Sequence, residues 1–286
     1  MGAARSMIGM PDPGAAGSSA RVMGRLSSGP PAPAVKTVLK TPTGVASRPP
    51  LAVPGQLDTL PRMTSITIPG GLLVAIEGID GAGKSTLAKG LTERLTAAGV
   101  TVSTGKEPTN GPWGMKLRES ASSGRLSPEE EVKYLLADRR EHVQQFIEPA
   151  LRRGEVVILD RYFPSMVAYQ GAAGVSVDEL SAANAFAPRP HLMLLLDVEP
   201  AIGLDRIRAR GDRPNHFENE ENLALCRQIF LDMSERSKFV VNASKSEAEV
   251  LEDSYVLVIR QFAQNLGTAS VENVEKLGAL MAGHLA

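Results

Sequence analysis

Cysteine is almost absent from this 286-residue chain: Cys226 stands alone, so no internal disulfide can form. That usage fits a reducing compartment, and a cytoplasmic location is expected. Long apolar runs are missing as well. The strongest, Leu192–Leu196, is strand-sized and far short of the ~18 residues a membrane helix needs, so no membrane partner is expected. Neither sign of charge dominates. The 31 basic and 32 acidic residues leave a net charge of −1, which provides no overall basic field to draw nucleic acid. No Cys/His spacing suggests zinc, and no segment repeats.

What is present divides in two. Eleven of the 20 prolines lie between Pro11 and Pro69, amid Gly, Ala and Ser, and the seven basic residues of positions 1–68 face only Asp12 and Asp58. No helical or strand period survives the prolines, so residues 1–68 are predicted to be an unstructured basic extension. A transit peptide would share its Arg-rich, acid-poor character, but the prolines oppose the amphipathic helix such a peptide needs. A start of translation at Met63 would also account for it. Either way the extension is expected to be dispensable.

Residues 69–286 alternate strands and helices. Leu72–Ile76 is a short apolar run without alternation, as a buried parallel strand requires. A helix is predicted through Ala98, closed by Gly99, then a strand over Val100–Thr104. Ser127-Pro128-Glu129-Glu130 carries a capping box with proline at the first helical position. That helix should run towards Arg153, with a break near Pro149, and end by Gly154. Val156–Asp160, Leu192–Val198 and Phe239–Asn242 complete five strands. The fold class is therefore α/β, a doubly wound five-stranded parallel sheet with helices on both faces. The remaining oddments read as packing: Cys226 lies on a helical segment with Leu223, Phe230 and Leu231.

Gly78-Ile79-Asp80-Gly81-Ala82-Gly83-Lys84-Ser85 fits the phosphate-binding loop pattern and falls between the first strand and first helix, with Thr86 following. Its glycines allow successive N–H groups to converge on phosphate oxygens at a helix N-terminus. Lys84 should reach the β- and γ-phosphates, and Ser85 should ligate Mg²⁺. Asp80 is unusual, because a carboxylate inside an anion-binding loop is unfavourable without a specific partner. Val156–Asp160 ends in a second carboxylate at the sheet edge where ligands bind, suited to the Mg²⁺ shell. Arg161 follows directly and offers a bidentate phosphate binder.

In these motifs the chain resembles the thymidylate kinase family of P-loop kinases. The resemblance rests on Glu77–Thr86, Lys106-Glu107-Pro108, Leu136–Arg139 with His142-Val143, Asp160-Arg161-Tyr162 with Ser165 and Ala168–Gly171, and the arginine-rich Arg206–Glu218, which is similar to the family's lid. It implies transfer of the γ-phosphate of ATP to dTMP, with Mg²⁺, in a homodimer. It further implies that Asp80 binds the acceptor 3′-hydroxyl, Arg139 a pyrimidine carbonyl and Arg161 the acceptor phosphate. Glu107, Pro108, Ser165, Tyr169 and Gln170 would complete the acceptor pocket. Arg139, His142, Val143 and Phe146 share one helical face, and Arg140 and Glu141 point elsewhere.

Three segments depart from the family pattern. Lys106 replaces arginine, Thr109-Asn110-Gly111 replaces a glycine pair, and Leu135 stands where the family often has a phenylalanine that stacks on thymine. The family supplies a catalytic arginine from the loop or from the lid. Gly81 and Ala82 occupy the loop here, so Arg208, Arg210 and Arg213 are the lid candidates, alongside Lys84 and Arg161. Two other readings stay open: a P-loop kinase for another (deoxy)nucleoside monophosphate or a deoxynucleoside, and a P-loop switch or ATPase without an acceptor.

Overall fold

A computed structural model describes residues 66–123, 126–211, 219–266 and 278. The first strand, β1 (Leu72–Glu77), is fully buried. It leads into α1 (Lys84–Ala97), which stops at Gly99 with φ of 84°. Then come β2 (Val102–Lys106), α2 (Pro112–Ser123), α3 (Pro128–His142), α4 (Glu148–Arg152) and β3 (Val156–Asp160). The second half holds α5 (Phe163–Ala172), α6 (Val177–Ala183), β4 (Leu192–Asp197), α7 (Pro200–Ala209), α8 (Glu220–Asp232), β5 (Lys238–Asn242) and α9 (Glu247–Leu266).

The five strands form one parallel sheet in the order β2-β3-β1-β4-β5. The apolar runs in β1 and β3 are continuous because both sheet faces are covered. Leu72, Val74 and Ile76 face a cluster with Leu87 and Leu91 of α1 and Val258 and Phe262 of α9. Leu73 and Ala75 face the opposite cluster, with Val143, Ile147, Phe163 and Met166. The chain leaves β1 towards β2 on one side and later reaches β4 on the other, so β1 marks the switch in strand order. Ligands of such sheets bind outside the strands' carboxyl ends at that switch.

Three boundaries differ from expectation. Ile66 and Ile68, placed by composition in the extension, are buried against the body, with Ile66 bridging Val100 and the Ile68 N–H bonding to the Gly154 carbonyl at 2.7 Å. The second strand runs two residues later than its composition suggests. It pairs Val102 with Val156 through to Lys106 with Asp160, so β3 sets the register of this polar edge strand. The long helix does break before Pro149, but as a π turn over Val143–Ile147 in which Glu148 N–H reaches the Val143 carbonyl. Proline's ring crowds the carbonyl four residues back, and the wider turn relieves that crowding.

The capping box forms as read, with Ser127 Oγ accepting from Glu130 N–H and Glu130 Oε2 accepting from Ser127 N–H. Cys226 is fully buried. Among the described residues no helix is long and apolar enough to cross a membrane.

Candidate active site

At the carboxyl edge of the sheet, β1, β3 and β2 end on Glu77, Asp160 and Lys106. The loop from Gly78 to Gly83 follows, and Ser85 and Thr86 are exposed at the start of α1. Gly81 is forced to be glycine twice over. Its φ is 80°, and a Cβ there would lie 2.1 Å from the Gly203 carbonyl oxygen of α7. Gly203 faces it in return, since its own Cβ would meet the Asp80 carbonyl at 2.6 Å. The loop thus sits directly against α7, leaving no room for a side chain at position 81.

Lys84 is buried and donates to the carbonyls of Gly78 (2.9 Å) and Ile79 (2.7 Å). Burial, with the nearby Arg161 charge, lowers its pKa to about 7. Ser85 Oγ donates to Asp160 Oδ2 at 2.5 Å, and Lys106 Nζ lies 3.2 Å from the same oxygen. Asp160 Oδ1 is buried and has no hydrogen-bond partner among the described residues.

The Asp80 partner demanded by electrostatics is Arg161. The guanidinium Nη2 pairs with Asp80 Oδ1, and the Tyr169 hydroxyl donates to Oδ2 at 2.9 Å. Burial alone would raise the Asp80 carboxyl, but the charges of Arg161 and Lys84 override it and hold it at about 2. Arg161 Nη1 also donates to Ser165 Oγ at 3.2 Å, and Ser165 donates in turn to Glu77 Oε2 at 2.5 Å. Glu77 is fully buried, and burial pushes its carboxyl up to about 7 against the opposing pull of Ser165 and Arg161.

A second cluster surrounds Arg139, which is 1% exposed. Its Nε and Nη2 donate to Glu107 Oε2 at 2.8 and 2.6 Å, and its Nη1 donates to Asn184 Oδ1 at 2.6 Å. His142 Nδ1 lies 3.0 Å from Glu107 Oε1. Glu107 therefore points inward and fixes the arginine, while Pro108, joined to it by a cis peptide, continues the loop. Asp138 accepts from Thr109 N–H (2.8 Å) and Oγ1 (2.6 Å), and Arg118 donates to the carbonyls of Pro108 and Thr109. Gln170 is buried and donates to Glu131 at 3.1 Å. Leu135 is partly buried against the apolar cluster. Tyr134, one helical position away, stacks on Trp113 of α2 instead.

Of the arginines near residue 210, Arg206 touches the phosphate loop. It donates to the Ala243 carbonyl at 2.9 Å and lies 3.5 Å from the Gly81 carbonyl. Arg208 is exposed and pairs with Asp205 one turn back at 3.2 Å. Arg210 caps α7 at the surface, and Arg213 lies outside the described residues.

A family model described as thymidylate kinase matches residues 76–254. The chain belongs to the thymidylate kinase family. Curated relatives named thymidylate kinase agree with this. The protein of Xanthomonas campestris pv. campestris (strain B100) is 57% identical over 218 residues, 76% of this chain and 96% of the relative. That of Xanthomonas oryzae pv. oryzae (strain PXO99A) is 59% identical over 204 residues, 71% and 90% of the two chains. That of Xylella fastidiosa (strain M12) is 58% identical over 210 residues, 73% and 97%. This thymidylate kinase family member is accordingly a nucleotide-binding transferase.

In this thymidylate kinase family member, sequence reasoning brought together Asp80, Lys84, Ser85, Asp160, Arg161, Ser165 and Tyr169, and the structure does gather them at one sheet edge. It missed Glu77, Asp138, Asn184 and Arg206. Glu77 had a signal: it is a charge closing an otherwise apolar strand, and a buried charge requires partners. Arg206 stood in the arginine-rich segment, but nothing there pointed to the Ala243 carbonyl, and Asn184 had no signal, because their contacts join segments distant in sequence.

The Asp80 carboxyl titrates at about 2 in the folded chain against an ordinary 3.8, so the unfolded chain takes up its proton first as the pH falls. The stability it contributes, on the order of 2 kcal/mol, is complete above the unfolded value and is lost as the pH drops through the folded one. In urea melts, the stability gap between wild type and Asp80→Asn should hold steady from about pH 8 to 5 and shrink by roughly half at pH 3. A gap independent of pH would contradict the ion pair.

Proposed function

We infer that the chain transfers the γ-phosphate of ATP to dTMP, giving dTDP and ADP for dTTP synthesis. Within a family so named, the observation that carries this reading is the Asp80–Arg161 pair, which ties the ATP-binding loop to the arginine following β3. A simple ATPase or switch has no use for that link, nor for a buried Arg139 held by Glu107 and Asn184.

The attacking atom is an acceptor phosphate oxygen. With a second pKa near 6 it is already ionised at neutral pH, so no general base is required. The barrier is repulsion between two anions, and cations placed at both reactants lower it. Lys84 holds the β- and γ-phosphates of ATP, and Arg161 holds the acceptor phosphate. Asp80 accepts from the acceptor 3′-hydroxyl, exchanging part of its present bonding to Arg161 and Tyr169. Arg139 has five N–H donors, of which Glu107 and Asn184 take three. A remaining donor serves a pyrimidine carbonyl, with Pro108, Leu135 and Gln170 enclosing the base.

The oxygen donors present suit magnesium. Ser85 and Asp160 supply a hydroxyl and a carboxylate with one buried unpartnered oxygen, and Mg²⁺ takes one or two carboxylates plus substrate phosphates. Among the described residues no larger cluster of His, Cys, Asp and Glu competes. When bound there, the ion screens the charge of the donor phosphates. Because Gly203 blocks a side chain at position 81, the catalytic arginine comes from the lid, and Arg208, Arg210 and Arg213 are its candidates. Closure over the reactants would also exclude water and suppress ATP hydrolysis.

We further propose a cytoplasmic homodimer acting on free nucleotides, without nucleic-acid or membrane partners, in which the extension plays no part in catalysis.

A coupled assay over dTMP, dUMP, dCMP, UMP and thymidine should give the highest kcat/KM for dTMP; a higher value for any other acceptor overturns the assignment. Arg210→Ala or Arg213→Ala should lower kcat by ~10³, the scale of other arginines that complete phosphoryl-transfer sites. Full turnover in both variants would remove the lid assignment. Deleting residues 1–62 should leave kcat unchanged, and a dead enzyme would show the extension to be part of the catalyst.

A further inference from the structure

Arg161 is the one non-glycine residue with positive φ among the described residues, at 72°. A side chain in the left-handed region costs on the order of 1 kcal/mol, so something must hold it there. The backbone around it shows what does. Arg161 N–H finishes the β1–β3 ladder on the Ile76 carbonyl at 3.0 Å. The left-handed step then turns the chain so that the next N–H, that of Tyr162, meets Glu77 Oε1 at 2.8 Å. The other carboxylate oxygen, Oε2, accepts from Ser165 Oγ at 2.5 Å, one turn into α5. Ser165 Oγ also accepts from Arg161 Nη1.

One buried carboxylate therefore holds the backbone immediately after Arg161 and, through a single hydroxyl, the guanidinium itself. Its burial is complete, and a carboxylate with no access to water is unfavourable unless its position is used. It contacts none of the loop groups that bind Lys84, whose ammonium lies on the Gly78 and Ile79 carbonyls. The charge of Glu77 is felt at Lys84 through space, but its hydrogen bonds all go to the acceptor end of the site.

We propose that Glu77 is a positioning residue for the acceptor: through Tyr162 N–H and Ser165 it fixes the left-handed turn and the aim of Arg161 at the dTMP phosphate. The proposal rests on the reading that Arg161 binds that phosphate. Ser165 becomes the link in this chain rather than an independent contact to substrate.

The test is steady-state kinetics of the full chain with Glu77→Gln, Arg161→Lys and the double variant, varying dTMP and ATP separately. Glu77→Gln keeps the shape but loses the charge, and should raise KM for dTMP about ten-fold, the scale of one charge-assisted hydrogen bond. KM for ATP should stay within about two-fold, and the double variant should be no worse towards dTMP than Arg161→Lys alone, as expected for two residues acting as one unit. General damage to the fold would instead move both KM values. Ser165→Ala, which cuts the link while leaving the Tyr162 N–H on Glu77, should show the same selective rise even where Glu77→Gln fails to fold. A raised KM for dTMP in Arg161→Lys with no change in Glu77→Gln or Ser165→Ala overturns the proposal alone, and so does full additivity in the double variant. No change in Arg161→Lys itself overturns the reading of Arg161 and the proposal with it.

Discussion

The site depends on mutual neutralisation of buried charge. Glu77, Asp80, Asp160, Lys84 and Arg161 crowd the carboxyl edge of a sheet whose central strands β1 and β3 are otherwise apolar. None could be withdrawn from water alone, since an unpaired buried ion costs several kcal/mol. Together they satisfy one another: Arg161 holds Asp80, Glu77 steadies Arg161 through Ser165, and Ser85 meets Asp160. Removing Asp80 or Arg161 leaves the other without its charge partner. The loop, the turn after β3 and the start of α5 are therefore one electrostatic unit.

That unit needs a rigid support, and the fold supplies it from both faces. The sheet's two apolar clusters fix the strand ends, and the facing glycines at 81 and 203 press the phosphate loop onto α7. Arg206 crosses beneath to the Ala243 carbonyl after β5. Preorganisation of this kind suits a reaction in which positioning and cations, rather than covalent chemistry, lower the barrier. At its base α7 packs closely on the phosphate loop through Gly203.

A similar logic holds the other end of the site. Glu107 follows β2 and turns inward to grip Arg139 and His142, while Asp138 and Arg118 clasp the Pro108-Thr109 loop. Lys106 in place of the family's arginine contacts Asp160 as a point charge, a role that needs no bidentate fork. Leu135 keeps apolar packing without an aromatic stack.

Local signals in the chain were enough for much of this. The short apolar runs, the capping box at Ser127, the glycine at 99 and the loop from Gly78 to Ser85 are patterns within a few residues, so they can be read without the fold. The need of Asp80 for a partner was equally evident from its charge. What the tertiary structure decided is where the partners come from. Arg161 lies 81 residues from Asp80 and Ser165 lies 88 from Glu77, and no spacing rule links such positions. The register of β2 came from β3, because a polar edge strand carries no apolar pattern of its own. The left-handed turn at Arg161 came from the Glu77 carboxylate, because only a buried acceptor in that place makes the strained backbone the lower-energy choice.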